Sequence, residues 1–236
     1  MAPVRTVRIV LGSLAGVVVL LQAVSVAGYL GRQARVDTQL LPATAGPVEA
    51  STDVGDITVR VAAAGERPRL EQRLRWAFWS PSSSFHSAEG RVEARSNCPL
   101  IALMCKADVE LVVASGSPVR VHTSVGDVRV EPTSADVTAV TAFGDVVVHG
   151  GGEGADLFAE TSTGDVRVIA SVGAHSIRAV SATGDVRVDV APGETFAVDA
   201  GTDVGDTRID VASDPASGRS LVARTSTGDV AVVAGD

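Results

Sequence analysis

One eight-residue motif occurs seven times in this chain, and this repetition constrains the fold more than any other feature of the sequence. The motif is S/T-x-x-G-D-x-x-V/I. Its copies begin at Thr52, Thr123, Thr141, Thr161, Ser181, Thr202 and Thr225. The last six copies follow one another at intervals of 18, 20, 20, 21 and 23 residues. A near-constant period is typical of repeat proteins, in which each unit packs mainly against its neighbours.

Each copy of the motif predicts a tight turn followed by a β-strand. A glycine at a fixed position indicates a positive φ, and the aspartate after it can accept a hydrogen bond from a backbone N–H. After the turn, Val128 and Val130 share one face of the predicted strand. Asp127 and Arg129 share the other face, so we expect valines inside and charges outside. The predicted turn residues are Gly55, Asp56, Gly126, Asp127, Gly144, Asp145, Gly164, Asp165, Gly184, Asp185, Gly205, Asp206, Gly228 and Asp229.

The residues before each turn also have a strand-like pattern. Examples are Asp136–Thr141, Ser176–Ser181 and Leu221–Thr225. One unit of about twenty residues is therefore a strand, a Gly-Asp turn, a second strand and a looser turn. Such a unit cannot bury its apolar face alone, whereas stacked units can, which favours a β-solenoid. An antiparallel meander or sandwich is the alternative, because it too uses short strands at regular spacing.

Stacking would place the seven aspartates in one column, where like charges repel. Arginines on the same outward face can offset this repulsion: Arg129, Arg167, Arg187 and Arg208. Carboxylate-rich turns also permit calcium, and residues 151–158 match one calcium β-roll repeat. That match occurs once, whereas a β-roll needs tandem copies to share ions. The sequence therefore favours turn chemistry without a cofactor and leaves calcium as an alternative.

Residues 9–30 predict a single transmembrane helix, since 22 residues without a charge reach roughly 33 Å as a helix. A cleaved signal peptide is the main alternative, because residues 25–27 are small, and a buried core helix is another. Two arginines lie on each side of the span, so flanking charge does not fix its orientation. The predicted organisation is a cytoplasmic tail (1–8), the span (9–30), a juxtamembrane linker (31–48) and an ectodomain (49–236).

Cys98 and Cys105 are the only cysteines and flank a short apolar segment. A disulfide between them would close a small loop in an oxidising compartment. Free buried thiols, or a metal or redox pair, are the alternatives, although the spacing is not C-x-x-C and no histidine lies nearby. The disulfide interpretation agrees with a domain outside the cytoplasm.

An insert at about 62–118 separates the first motif copy from the second. It contains most aromatic residues of the predicted ectodomain: Trp76, Phe78, Trp79 and Phe85. Such a cluster can close an exposed end of a stack of strands, which otherwise presents apolar atoms and unpaired edges. Alternatively, it forms a patch that binds sugar rings or a protein.

The charge balance and the missing motifs exclude several functions. Residues 36–236 carry 16 basic and 28 acidic residues, a formal charge of about −12, so the domain would repel the phosphates of nucleic acid. No Walker loop, dinucleotide fingerprint or nucleophile elbow is present. The four histidines are isolated in the sequence: His86, His122, His149 and His175. The sequence therefore predicts a protein that is not an enzyme.

The repeated T-x-x-G-D-V-x-V units, the cysteine pair leading into a strand and the N-terminal apolar segment resemble a known family. This is the bacterial "putative adhesin" β-strand-repeat domain, a domain of unknown function common in actinobacteria. The resemblance covers roughly residues 49–236. It implies an all-β fold, a right-handed single-stranded β-solenoid of about twenty-residue rungs, and an extracytoplasmic location. It carries over no catalytic or ligand-binding residue.

These observations predict a single-pass membrane protein whose C-terminal domain lies outside the cytoplasm. We expect a non-catalytic, adhesin-like interaction or scaffold module that binds a protein or a cell-wall polymer, and no nucleic acid. The alternative is the outer sensor or accessory component of an envelope-stress or anti-sigma type regulatory system. Because only eight residues precede the predicted span, signalling would require a partner within the membrane.

Overall fold

The computed structural model describes residues 31–44, 46–77, 79–88, 91–98 and 105–235. The predicted cytoplasmic tail and transmembrane helix, residues 1–8 and 9–30, lie outside these ranges. Within the described ranges no helix is long and apolar enough to span a membrane.

The described chain forms twenty β-strands in two ten-stranded sheets. In chain order, the first sheet contains β1 (Gln33–Leu40), β3 (Ile57–Val61), β4 (Arg69–Trp76), β7 (Lys106–Val113), β9 (Val128–Thr133), β11 (Val146–Gly150), β13 (Val166–Ala170), β15 (Val186–Val190), β17 (Thr207–Asp210) and β20 (Val230–Ala234). The second contains β2 (Val48–Val54), β5 (Ser82–Ala88), β6 (Arg91–Asn97), β8 (Val119–Val125), β10 (Val137–Phe143), β12 (Asp156–Thr163), β14 (Ser176–Thr183), β16 (Thr195–Val204), β18 (Ala212–Ser213) and β19 (Ser220–Thr227). The prediction of an all-β fold is confirmed.

Each motif copy contributes one strand to each sheet, with the Gly-Asp turn between them. Strands of successive copies pair in parallel, so that equivalent residues are neighbours: Val146 of β11 lies beside Val128 of β9 and Val166 of β13. The structure therefore differs from an antiparallel meander or sandwich. Antiparallel pairs are confined to one end of the stack, where β4 pairs with β1 and β7, and β5 pairs with β6.

The last two motif copies are stacked in the reverse of their sequence order. β19 and β20, which contain the copy beginning at Thr225, pair with β14 and β15 on one side and with β16 and β17 on the other. The copy beginning at Thr202 therefore forms the far end of the stack. We call the pair β16 and β17 the end unit.

The core between the sheets is narrow and filled by small and β-branched side chains. The valines predicted to face inward are buried, including Val128, Val130, Val166 and Val168. Alanines face them from the second sheet, and Phe196 is the largest fully buried side chain of the described residues. A core of this width explains the low aromatic content of 3%.

Two segments differ from the organisation that the sequence suggested. Residues 31–48, predicted to be a linker, contain β1, which is held by antiparallel pairing along the whole of β4. The predicted insert at 62–118 contributes β4 to β7, which belong to the two sheets instead of standing apart from them.

The predicted insert also contains an eighth repeat unit that the motif search misses. β6 pairs with β2 and β7 pairs with β3, both in parallel, with Ser96 beside Thr52. Ala107 and Asp108 occupy the place of Gly and Asp, because Asp108 Oδ1 accepts a 3.1 Å hydrogen bond from the backbone N–H of Asp56. An extra loop interrupts this unit between Ser96 and Ala107. The Cys98–Cys105 disulfide brings the two ends of that loop together at the turn.

Candidate interaction surface

The Gly-Asp turns form one continuous column along an edge of the stack, which we call the corner column. In each case the backbone N–H of one corner aspartate donates to Oδ1 of the next, over 2.8 to 3.1 Å. The order along the column is Asp206, Asp229, Asp185, Asp165, Asp145, Asp127 and Asp56, and it ends at Asp108. Each carboxylate thus fixes the position of the next unit instead of standing as an isolated charge.

The corner glycines are required by both conformation and space. Gly164 has a φ of 141°, which side-chain-bearing residues rarely adopt. A Cβ built on Gly164 would lie 2.1 Å from the carbonyl oxygen of Gly144. Each turn packs directly on the backbone of the turn before it, so the repeated glycine reflects close stacking as well as turn geometry.

A second column of hydrogen bonds lies just inside the first. In five of the seven motif copies the hydroxyl of the first residue is buried and donates to the glycine carbonyl of the neighbouring unit, as Thr161 does to Gly144 over 2.9 Å. The same bond is made by Thr123, Thr141, Ser181 and Thr225. These bonds explain why the motif begins with Ser or Thr, since a buried hydroxyl needs a partner.

Three of the four arginines expected to offset the corner aspartates form ion pairs elsewhere. Arg167 and Arg187 both form ion pairs with Asp189, which is buried on the face of the first sheet, at 3.0 and 2.7 Å. Arg208 pairs with Asp210. Together they line a charged groove of about 520 Å³ in which the cations and carboxylates already face one another.

No group of three His, Cys, Asp or Glu side chains that could hold a metal ion is found among the residues that the structure describes. At the corners, one carboxylate oxygen of six of the aspartates accepts a neighbouring backbone N–H. Calcium therefore stays the untested alternative to turn chemistry without a cofactor.

An exposed apolar stripe runs beside the corner column, and sequence reasoning missed it. The position before the corner glycine is Val54, Val125 and Phe143 in three adjacent units, whose strands place these residues side by side. Val125 is 46% exposed and Phe143 is 58% exposed. An apolar row on an otherwise polar edge is typical of a binding surface. The signal was present in the motif, at the residue directly before Gly-Asp.

The stripe continues into a groove of about 550 Å³ at the antiparallel end of the stack, which we call the end groove. Its apolar lining comes from Ala34, Val54, Trp76 and Cys105, and its polar lining from Arg32, Gln33, Arg75 and Lys106. The three cationic side chains come from separate segments, and no local pattern in the sequence connects them.

Two acidic residues beside the end groove, Asp56 and Asp108, form ion pairs with two of its three cations, Lys106 and Arg75. Lys106 Nζ lies 2.6 Å from Asp56 Oδ2 and 3.1 Å from Asp108 Oδ1, and Arg75 bonds Asp108 Oδ2. The hydrogen bond that Lys106 donates to Asp56 raises the pKa of Lys106, and burial opposes this shift only in part. Burial raises the pKa of the Asp108 carboxyl, but the Asp56 N–H, Lys106 and Arg75 outweigh it, so that this pKa is lowered. Both groups are therefore charged at neutral pH.

The predicted aromatic cluster is divided between the sheets. Trp76 ends β4 in the first sheet and lines the end groove, whereas Phe85 lies in β5 of the second sheet and packs against the core. Trp79 is exposed, and Phe78 lies outside the described residues. Trp76 and Phe85 thus belong to different surfaces, and both strands lie at the end of the stack that a cap would cover.

Comparisons with known proteins identify the family of the fold. The family profile described as Toastrack DUF4097 matches residues 39–233. A crystal structure named a putative cell adhesion protein, from Clostridium sporogenes, is similar over 86% of this chain and 100% of its own, with a TM-score of 0.45 and 11% identity. One named a putative adhesin, from Bacteroides fragilis, is similar over 85% of this chain and 97% of its own, with a TM-score of 0.36 and 13% identity.

A third structure, from Parabacteroides distasonis, is named a putative lipid binding protein. It covers 86% of this chain and 97% of its own, with a TM-score of 0.32 and 7% identity. A search of curated proteins finds no match. The expected membership of a repeat-domain family is confirmed at the level of Toastrack DUF4097, whereas an adhesin-like role and an actinobacterial origin stay predictions.

Proposed function

The chain belongs to the Toastrack DUF4097 family, and on this basis we propose that it is a non-catalytic, adhesin-like interaction module, held to the membrane through residues 9–30 and displayed outside the cytoplasm. Its partner is a protein or a cell-wall polymer. The observation that carries the proposal is the apolar stripe, because the corner column presents Val54, Val125 and Phe143 in a fixed row at the surface.

The corner column makes this display rigid. Every unit is joined to the next by a carboxylate–amide hydrogen bond, and most units by a hydroxyl–carbonyl bond as well. A preorganised surface loses little conformational entropy when it binds a partner. The parallel registers support a right-handed β-solenoid as the winding of these units, with the exchange of the last two units as a departure from sequence order.

The distribution of titratable side chains supports a non-catalytic role. The four histidines belong to β5, β8, β11 and the turn before β14, and within the described strands no register pairs one histidine with another. The carboxylate–cation clusters around Glu66 and around Asp189 are ion-pair networks. A general acid–base pair would require two such groups to face a common substrate site.

The regulatory alternative is favoured by one observation, the position of the end groove. The groove is lined by Arg32, two residues after the predicted span ends at Leu30. A membrane partner that carries a signal across would contact this end of the stack first, whereas an adhesion partner would contact the stripe.

In-cell photo-crosslinking tests the proposal. The full-length protein is produced in the cells that naturally contain it, with a photo-crosslinking amino acid at one position. It is placed at Phe143 in one variant and at Val172 in the other, since Val172 is an apolar residue of similar exposure (68%) in a loop away from the corner column. We expect a discrete crosslinked partner from position 143 and little from position 172. Equal yields from both positions would contradict the stripe as the binding surface. A third variant carries the crosslinker at Ala34, in the end groove, and a partner captured from this variant alone would favour the regulatory alternative.

A further inference from the structure

The end groove has the opposite charge character to the chain as a whole. Among the residues that the structure describes, three cationic side chains and no carboxylate line it, whereas the sequence has a net charge of −8. Asp56 and Asp108 form ion pairs with Lys106 and Arg75 and hold them in place. A site of this kind attracts an anion that the rest of the acidic surface would repel.

The same groove has an apolar side. Ala34, Val54 and Trp76 line it beside the half-cystine Cys105, and Val54 continues directly into the exposed stripe through Val125. The combination of an indole, aliphatic side chains and cations suits an amphiphilic anion better than a small inorganic one. Trp and Arg or Lys are the residues that sit at the interface between lipid headgroups and acyl chains.

The sequence places this groove close to the predicted membrane surface. Arg32 follows Leu30, the last residue of the predicted span, by two residues. Two residues reach at most about 7 Å even when fully extended. If the span ends at the outer surface of the bilayer, Arg32 and the side chains beside it lie at the level of the phospholipid headgroups.

We propose that the end groove binds the phosphate of an anionic phospholipid headgroup in the outer leaflet through Arg32, Arg75 and Lys106, with Trp76 against the acyl-chain boundary. This inference rests on the membrane tether in the proposed function. The existing ion pairs do not prevent binding, because exposed ion pairs are weak and a phosphate can share a cation with a carboxylate. Each cation is expected to contribute roughly fivefold to binding at an anionic surface.

The two tryptophans of the chain allow a direct test, since W79F leaves Trp76 as the only one. The full-length W79F protein is reconstituted into vesicles of phosphatidylcholine, with or without phosphatidylglycerol, in which one lipid at a time carries brominated acyl chains. We expect brominated phosphatidylglycerol to quench Trp76 fluorescence several-fold more than brominated phosphatidylcholine. Added salt should reduce the difference, because it screens charges outside the protein core.

Charge variants and a distant tryptophan supply the controls. R75Q/K106Q in the W79F background should lose the preference for phosphatidylglycerol, whereas R129Q/R178Q, which removes two exposed charges elsewhere on the sheets, should keep it. V204W, in a chain with W76F and W79F, places the probe on the end unit, seven strand spacings or roughly 34 Å from β7. That probe should not be quenched.

Three results would overturn the inference. Trp76 could remain unquenched in protein that stays in the vesicles at alkaline pH, the two brominated lipids could quench it equally, or V204W could be quenched as strongly. Release of the protein at alkaline pH would instead contradict the tether itself, and therefore the proposed function as well. If R75Q/K106Q does not fold, the effect of added salt on the difference in Trp76 quenching between the two brominated lipids provides the test instead.

Discussion

The backbone N–H of Asp165 donates a 2.8 Å hydrogen bond to Oδ1 of Asp145, the residue at the same corner one unit earlier. Both side chains are exposed, yet this bond joins residues 20 positions apart in the chain. The same bond repeats along the corner column, so that carboxylates which would otherwise only repel one another accept hydrogen bonds from the backbone of the neighbouring unit.

Replacing one corner aspartate should separate its hydrogen bond from its charge. D165A removes the acceptor for the Asp185 N–H and should lower the free energy of unfolding by about 1 to 2 kcal/mol. D165N keeps an acceptor oxygen and removes one like charge, so it should cost less than about 0.5 kcal/mol. Urea unfolding measures both. An equal loss for the two variants would show that the carboxylate charge is what matters.

The corner glycines should tolerate a methyl group far less than positive-φ glycines at which an added Cβ would meet open space. G164A would bring a Cβ within 2.1 Å of the Gly144 carbonyl oxygen, and we expect a loss of at least about 3 kcal/mol. G154A is the matched control, with a φ of 76° and no atom near the added Cβ. It should cost about 1 kcal/mol, the conformational term alone. Thermal unfolding compares the two, and similar losses would contradict direct stacking of the turns.

The glycine and aspartate positions were predictable because each repeats at one place in seven units. Their partners were not, since the motif specifies a turn without stating which unit lies next to it. Thr202 and Thr225 begin near-identical motifs, and their exchange in the stack depends on how the chain crosses from β15 to β16. The eighth unit escaped detection because Ala107 replaces glycine and the disulfide loop separates Ser96 from Asp108.

Because the last two units are stacked in reverse order, truncating the aliphatic side chain on β20 should lower the free energy of unfolding more than truncating its partner on β17. Val232 and Ile209 are register partners on β20 and β17, but Val232 is fully buried whereas Ile209 is 43% exposed. V232A should therefore cost about 2 kcal/mol or more, and I209A less than about 1 kcal/mol. Chemical denaturation of both variants measures the difference. If I209A were the more costly, the copy beginning at Thr225 would lie at the end of the stack, as in the sequence.

Stability at low pH should depend on Asp108. Its pKa is lowered in the folded protein, so its contribution is present above the pKa of the unfolded state, about 4, and is lost as the pH falls below that value. D108N should lower the melting temperature at about pH 7. It should also reduce the further fall in melting temperature between about pH 5 and about pH 3. D203N, at an exposed position on the end unit, is the control and should change neither value. An unchanged acid transition in D108N would contradict this role.

The end groove shows the limit of prediction from this sequence. Trp76 was recognised as a candidate, because an aromatic residue in a chain with few of them stands out. Arg32, Arg75 and Lys106 carried no such signal, since they are separated by more than thirty residues and converge only through the antiparallel pairing of β4 with β1 and β7. Long-range register, which the period of the repeat does not specify, creates this site.

The corners form one hydrogen-bonded column whose order differs from that of the sequence. Residue-specific amide exchange of the Asp206 N–H tests it most directly, because that N–H bonds Asp229 Oδ1 over 2.8 Å. We predict slow exchange in the unmodified protein, faster exchange in D229A, and no change in D185A, whose carboxylate bonds the Asp229 N–H instead. Acceleration of the Asp206 amide by D185A and not by D229A would contradict the column as described here.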